Sequence, residues 1–205
     1  MSKETAVSNL KTEGIIEGVF NAGYVMYDSA IYFSKEVINP IGREIFVLVS
    51  LHMAENTEHR SRLFNILSAI NELHIKVIFS VLPRTRKIID NEQMKLSNNV
   101  RIKEPFSYLS MLGHLESCTF LITDSGGLQK EAFFFRKKCI TVRDETEWVE
   151  LVECGTNKVV GTNKEDILNA IEWGMQPLAT NNISRPFGNA NAAELIVNQI
   201  LETFH

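Results

Sequence analysis

Thr123-Asp124-Ser125-Gly126-Gly127-Leu128-Gln129-Lys130-Glu131-Ala132 is the stretch of this chain best equipped for chemistry. It joins a short apolar run, Thr119-Phe120-Leu121-Ile122, to a helix through a turn suited to an anion. Two consecutive glycines admit a ligand close to the backbone, and the free N–H groups and positive dipole end of the following helix favour a phosphate. Ser125 adds a hydroxyl donor. Glu131 follows Gly127 by four residues, about one helical turn, so its carboxylate can face the same cavity and accept hydrogen bonds from sugar hydroxyls. A phosphate cradle beside a hydroxyl acceptor suits a nucleotide diphosphate sugar. The competing reading of Ser-Gly-Gly before a helix is a tight connection and nothing more.

Positioning such a turn calls for an open α/β sheet. Apolar, β-rich runs alternate with helical-period segments, which implies parallel strands joined by right-handed crossovers with helices on both faces. Strands are expected near Gly18–Phe20, Ile45–Leu51, Lys76–Ser80, Val100–Ile102, Thr119–Thr123, Cys139–Val142 and Lys158–Val160. Helices fit Tyr27–Lys35, Glu58–Leu73, Thr85–Asn91, Tyr108–Leu115, Leu128–Phe135, Glu147–Glu153 and Lys164–Trp173. A last helix runs from about Ala190 to Thr203 after a loop over Pro177–Asn189, and Ser2–Thr12 reads as a polar helix. Ile45-Phe46-Val47-Leu48-Val49-Ser50-Leu51 lacks polar alternation except at Ser50, as a central strand covered on both faces requires. It ends at His52. Ligands of such sheets bind beyond the carboxyl ends of the strands, so His52 and Ser125 belong on one rim.

The 205 residues, 44% hydrophobic, suffice for one core, so a single domain over 1–205 is expected. A formal net charge of −4 leaves no basic surplus for a nucleic-acid backbone, and no partner of that kind is expected. No run approaches the roughly 18–20 apolar residues of a membrane span, and Met1-Ser2-Lys3-Glu4-Thr5 lacks a signal-peptide core, so no membrane partner is expected and the chain reads as cytoplasmic. Cys118, Cys139 and Cys154 are odd in number and lack metal spacing, which fits reduced core residues. The Asn182-Ile183-Ser184 sequon is then incidental.

From Glu104-Pro105, through Thr123-Asp124-Ser125-Gly126-Gly127, to Arg143-Asp144-Glu145-Thr146-Glu147-Trp148 and Gly161, the chain closely resembles the UDP-N-acetylglucosamine 2-epimerase family. The likeness spans almost the whole chain but corresponds to the carboxyl-terminal half of a family member. It implies one Rossmann-like half of a GT-B fold, whose active site lies in the cleft between two such halves. It also implies inversion at C2 of the hexosamine by elimination of UDP and its re-addition, without a metal or other cofactor. The carboxylates credited with proton transfer belong mostly to the amino-terminal half, so a chain of this extent is expected to be inactive alone. A separate amino-terminal domain chain, or a homodimer, would complete it.

By the same resemblance, Phe106, Tyr108 and Met111 would flank the uracil, Ser125, Gly126 and Gly127 would take the diphosphate, and Glu131 would bind the ribose. His52 matches the family histidine placed near the diphosphate, where a protonated imidazole offsets charge on leaving UDP. Departures accompany these matches. His-Arg-x-Glu-Asn is here His52-Met53-Ala54-Glu55-Asn56, and His-Pro-Arg-Thr is Leu82-Pro83-Arg84-Thr85. Gly-Asn-x-x-x-Asp is Gly23-Tyr24-Val25-Met26-Tyr27-Asp28, and Tyr-Gly-Asp-Gly-x-Ala is Phe187-Gly188-Asn189-Ala190-Asn191-Ala192. Such softened motifs suit relaxed catalytic demands, and Trp148 matches members acting on diacetamido-uronic acid sugars as well as others.

Further candidates are Glu55, Arg84, Arg143 and Glu147. Arg84 and Arg86 fit either a phosphate or domain contact or a solvated loop. The acidic group Asp144, Glu145, Glu147, Glu150 and Glu153 reads as solvated helix-face charge, with Glu147 alone worth testing. Without the resemblance, His52 would be a strand-end histidine bonded to a backbone carbonyl. His59, His74, His114 and His205 lack partners at ligand spacing and read as surface residues, so no metal site is expected. Phe133-Phe134-Phe135 fits core packing or contact with a missing domain. Two other function classes stay open: a non-catalytic UDP-sugar-binding module or remnant, and the donor-binding half of a split glycosyltransferase.

Overall fold

A computed structural model describes residues 3–37, 44–178 and 187–204. Ser2, His205, the sequon at Asn182 and the centre of the expected Pro177–Asn189 loop lie outside the described residues. In chain order the elements are α1 (Lys3–Thr12), α2 (Val25–Ser34), β1 (Phe46–Leu51), α3 (Ala54–Thr57), α4 (Arg60–Asn71), β2 (Lys76–Val81), α5 (Pro83–Asn91) and β3 (Val100–Lys103). There follow α6 (Tyr108–Ser117), β4 (Phe120–Thr123), α7 (Gly126–Phe134), β5 (Lys138–Thr141), α8 (Val149–Glu153), β6 (Asn157–Val159), α9 (Lys164–Met175) and α10 (Ala192–Phe204).

The six strands form one sheet in the order β3-β2-β1-β4-β5-β6, and every pairing is parallel. The chain therefore works outward from β1 to one edge, then returns to lay β4 on the other side of β1. That reversal opens a crevice between the carboxyl ends of β1 and β4, the place where doubly wound sheets bind ligands.

Strand periodicity distributes the core between two faces. Val47, Val49 and Leu51 of β1 meet Val77, Phe79, Phe120, Ile122 and Ile140 under α4 and α9. Phe46 and Leu48 point the other way, with Ile78, Leu121 and Cys139, under α6 and α7. Every residue of β1 is buried, which is why its sequence shows no alternation. On the first face α9 lies close to the sheet: a Cβ added at Gly174 would come within 3.0 Å of the Phe120 ring. Cys118 and Cys139 are free thiols inside the second face, pushed up to about 12 by burial.

Three expectations are corrected. Gly18–Phe20 is not a strand: Gly18 has φ +71° and turns the chain, while Phe20 is half exposed and belongs to a groove wall with α1 and α10. The helix expected to start at Glu58 starts at Arg60 as α4, because His59 adopts extended backbone, and that residue separates it from α3, a short helix that was not expected. His114 is buried rather than on the surface. Its ring stacks on Phe106 at 3.9 Å, its Nδ1 is 2.7 Å from the Ser110 carbonyl, and burial first lowers its pKa. Among the described residues no helix is long and apolar enough to cross a membrane.

Candidate functional site

The turn between β4 and α7 is built by its own side chains. Thr123 Oγ1 donates to the Ser50 carbonyl at 2.9 Å and accepts from Ser125 N–H at 3.1 Å, fixing the chain as it leaves the strand. Ser125 is the N-cap of α7, its hydroxyl accepting from Leu128 N–H at 3.4 Å. Gly126 and Gly127 are the first two helical residues. The helix N-terminus thus points its polar end into the crevice beside β1.

Asp124 closes the crevice floor. It is fully buried, and its carboxylate accepts from His52 N–H and Met53 N–H at 3.1 Å each and from Asn56 Nδ2 at 3.1 Å. Asn56 also donates to the Val142 carbonyl at 2.8 Å, and its Oδ1 accepts from Arg62 Nε at 3.0 Å. Arg62 continues to Asp144 at 3.0 Å and Glu55 at 3.2 Å. One network therefore joins the carboxyl ends of β1, β4 and β5, and it holds His52 beside the Ser125 turn. Sequence reasoning gave Asp124, Asn56 and Arg62 no role. The available signal was the position of Asp124 immediately before Ser125, where a buried acid must find donors.

Glu131 lies in α7 and is 5% exposed. Burial raises its pKa to about 7, opposed by the neighbouring Lys130. Tyr108 stands close enough that the Glu131 charge, after burial, raises its phenol pKa as well. Phe106 and Met111 are partly buried against the core beneath α6, and Phe106 carries His114 on one face. Tyr108 opens α6 after the Ser107 cap and meets Phe33 edge-on at 6.0 Å. The sequence candidates of α6 and α7 thus sit on adjoining helices at the same rim.

The other candidates are engaged. Arg84, in the first turn of α5, donates to Glu58 at 2.9 Å and to the His52 carbonyl at 3.2 Å, so it braces the end of β1. Arg86 pairs with Asp90 in the same helix, and neither arginine lies in a loop. Asp144 and Glu147 are exposed but not on a helix face: they precede α8, Asp144 paired to Arg62 and Glu147 to Arg143 at 2.8 Å.

The Arg143–Trp148 segment is anchored from α7. Gln129 Oε1 accepts from Thr146 Oγ1 at 2.7 Å and from Asn157 Nδ2 at 3.0 Å. Lys130 is nearly buried, hydrogen-bonded to the Tyr24 hydroxyl, with its ammonium 3.9 Å from the Trp148 ring centroid and 4.5 Å from that of Tyr24. Phe187 packs at 5.5 Å from Tyr24, and Asp28 accepts from Ala193 N–H at 2.6 Å in the first turn of α10. Among the described residues no three His, Cys, Asp or Glu side chains gather as a metal-holding group.

This is a Rossmann-like parallel sheet with a Ser-Gly-Gly helix N-terminus at its switch point, one α/β half of a GT-B fold. A family-wide sequence profile described as UDP-N-acetylglucosamine 2-epimerase matches residues 1–201, and the chain belongs to that family. It is 45% identical over 174 residues to the UDP-2,3-diacetamido-2,3-dideoxy-D-glucuronate 2-epimerase of Pseudomonas aeruginosa, covering 80% of this chain and 49% of that protein. A UDP-N-acetylglucosamine 2-epimerase homolog of Methanococcus maripaludis is 40% identical, with 95% and 57% covered. The crystal structure of the Methanocaldococcus jannaschii UDP-GlcNAc 2-epimerase in complex with UDP-GlcNAc and UDP superposes with a TM-score of 0.81 at 33% identity, covering 97% of this chain and 59% of that one. The chain spans about half the length of the curated relatives it matches, and corresponds to their carboxyl-terminal half.

Proposed function

We propose that this chain is the UDP-sugar-binding half of a 2-epimerase-like isomerase, one nucleotide-binding unit that becomes catalytic when an amino-terminal α/β half closes over its crevice. The observation that carries this reading is the convergence, at one switch point, of the Ser125-Gly126-Gly127 turn, the buried Glu131 carboxylate and the end of β1 at His52. Ser125, Gly126 and Gly127 take the diphosphate, Glu131 takes the ribose, and Phe106, Tyr108 and Met111 flank the base. The M. jannaschii relative was solved with UDP-GlcNAc and UDP, which supports a UDP-sugar as ligand.

In the reaction a base removes the proton at C2 while the C1–oxygen bond to UDP breaks, leaving a glycal and free UDP. Re-addition of UDP with protonation from the other face returns the epimer. This half contributes charge stabilisation on the departing diphosphate, from the α7 N-terminus and from the imidazole of His52 when protonated. The proton-transfer carboxylates come from the other half.

Calorimetric titration with UDP and UDP-N-acetylglucosamine tests the reading. Wild type binds, and Ser125→Ala and Glu131→Ala each weaken binding by about tenfold or more. A folded chain with no affinity for UDP at millimolar concentration rules the reading out.

A second reading, a non-catalytic UDP-sugar-binding module, is favoured by Met53. That side chain is 40% exposed at the crevice rim where the family pattern places a cation. The two readings part on solvent deuterium uptake at C2 after addition of the amino-terminal half of a relative: uptake marks the isomerase. The donor-binding half of a split glycosyltransferase would instead release UDP only with an acceptor present.

A further inference from the structure

The connection from β5 to α8 is fastened at two points, both supplied by the helix that carries the phosphate-type turn. Thr146 is bonded to Gln129, and Trp148 covers the Lys130 ammonium. Trp148 N–H also returns to Thr146 Oγ1 at 3.2 Å. Glu147 sits between these fixed residues, and its carboxylate is delivered onto Gly126. A Cβ added at Gly126 would overlap Glu147 Oε1 and would lie 3.3 Å from Cδ and 3.0 Å from Trp148 Nε1. Gly126 is therefore glycine for a packing reason, since its φ is ordinary. The other carboxylate oxygen, Oε2, accepts from Arg143 Nη1 at 2.8 Å.

We propose that Glu147 is a positioning residue of the nucleotide site: its carboxylate holds the Arg143 guanidinium at the mouth of the Ser125-Gly126-Gly127 turn, where Arg143 reaches the diphosphate of a bound nucleoside diphosphate. The inference rests on the UDP-binding reading above. Arg143 is 18% exposed and Glu147 46% in their side chains, and a pair that open to water adds little to folding. Its value is geometric, because a long guanidinium side chain left free must be ordered by the ligand at the moment of binding. Burial pushes the Glu147 carboxyl up, but its own backbone N–H and Arg143 outweigh that and hold it below the ordinary carboxylate range. It is thus ionised at neutral pH, as an acid beside a helix N-terminus prefers.

The test uses the full chain, with UDP as the titrant and the Arg143 Nε–H resonance of the ligand-free protein as a second readout. Glu147→Gln is expected to weaken UDP binding about tenfold while the unfolding midpoint stays unchanged. The double variant with Arg143→Ala should bind no more weakly than Arg143→Ala alone, because Glu147 acts through Arg143. The Nε–H resonance, sharp in wild type, should broaden in Glu147→Gln. Unchanged UDP affinity in Glu147→Gln, or additive losses in the double variant, overturns the proposal. Tighter binding in Glu147→Gln also overturns it, by showing that the carboxylate competes with the diphosphate. Wild type that fails to bind UDP sinks the nucleotide reading and this proposal together, whereas binding by wild type with an indifferent Glu147→Gln sinks this proposal alone.

Discussion

Glu131 shows what burial does to one side chain. Its carboxyl is raised to about 7 in the fold, against an ordinary value of 4.5. The folded state therefore holds the proton more tightly than the unfolded chain across that interval, and stability falls as pH rises from about 4.5 to 7. Glu131→Gln removes the titration. Urea unfolding should find the variant and wild type alike near pH 4.5, with the variant gaining by on the order of 3 kcal/mol at pH 8. A difference independent of pH would show that Glu131 does not titrate in this range. The sequence displayed Glu131 one turn beyond the glycines, which is enough to place it on the helix. Its burial was invisible, because Tyr108 opens a different helix and only folding brings that helix beside it.

Between elements, Asp124 is the tie. It follows β4, yet every bond it accepts comes from the end of β1 and from α3. Asp124→Asn presents an amide N–H₂ to donors that need an acceptor, so at least one buried donor loses its partner. The expected loss is roughly 2–3 kcal/mol in urea unfolding, with amide exchange quickening at His52 and Met53. Unaltered exchange there would mean that the junction is held by strand pairing alone. The alternation of apolar runs made six of the seven expected strands readable, since hydrophobic periodicity is local. Gly18–Phe20 misled because Val19 and Phe20 are apolar for a different reason: they line the groove with α1 and α10 instead of entering the sheet. The segments around Gly23–Asp28 and Phe187–Ala193, far apart in the chain, meet through Tyr24–Phe187 and Asp28–Ala193.

For the molecule as a unit, the proposed function has UDP seated between the ends of β1 and β4, where it would bind only the folded sheet. At about 100 times its dissociation constant it should stabilise the chain by about 2.7 kcal/mol, read as a rise in the thermal midpoint. A midpoint indifferent to UDP at that saturation would place the ligand elsewhere or nowhere. The parallel α/β class, the strand-turn-helix around Ser125-Gly126-Gly127 and the family were determined by the amino-acid sequence alone, because these depend on residue types a few positions apart. Tertiary structure alone decided the strand order, the Asp124 junction, the anchoring of Thr146 and Trp148 by Gln129 and Lys130, and the seating of Glu147 over Gly126. Each of those depends on side chains brought together from distant parts of the chain, and a buried polar group takes its partner from whatever the packing sets against it.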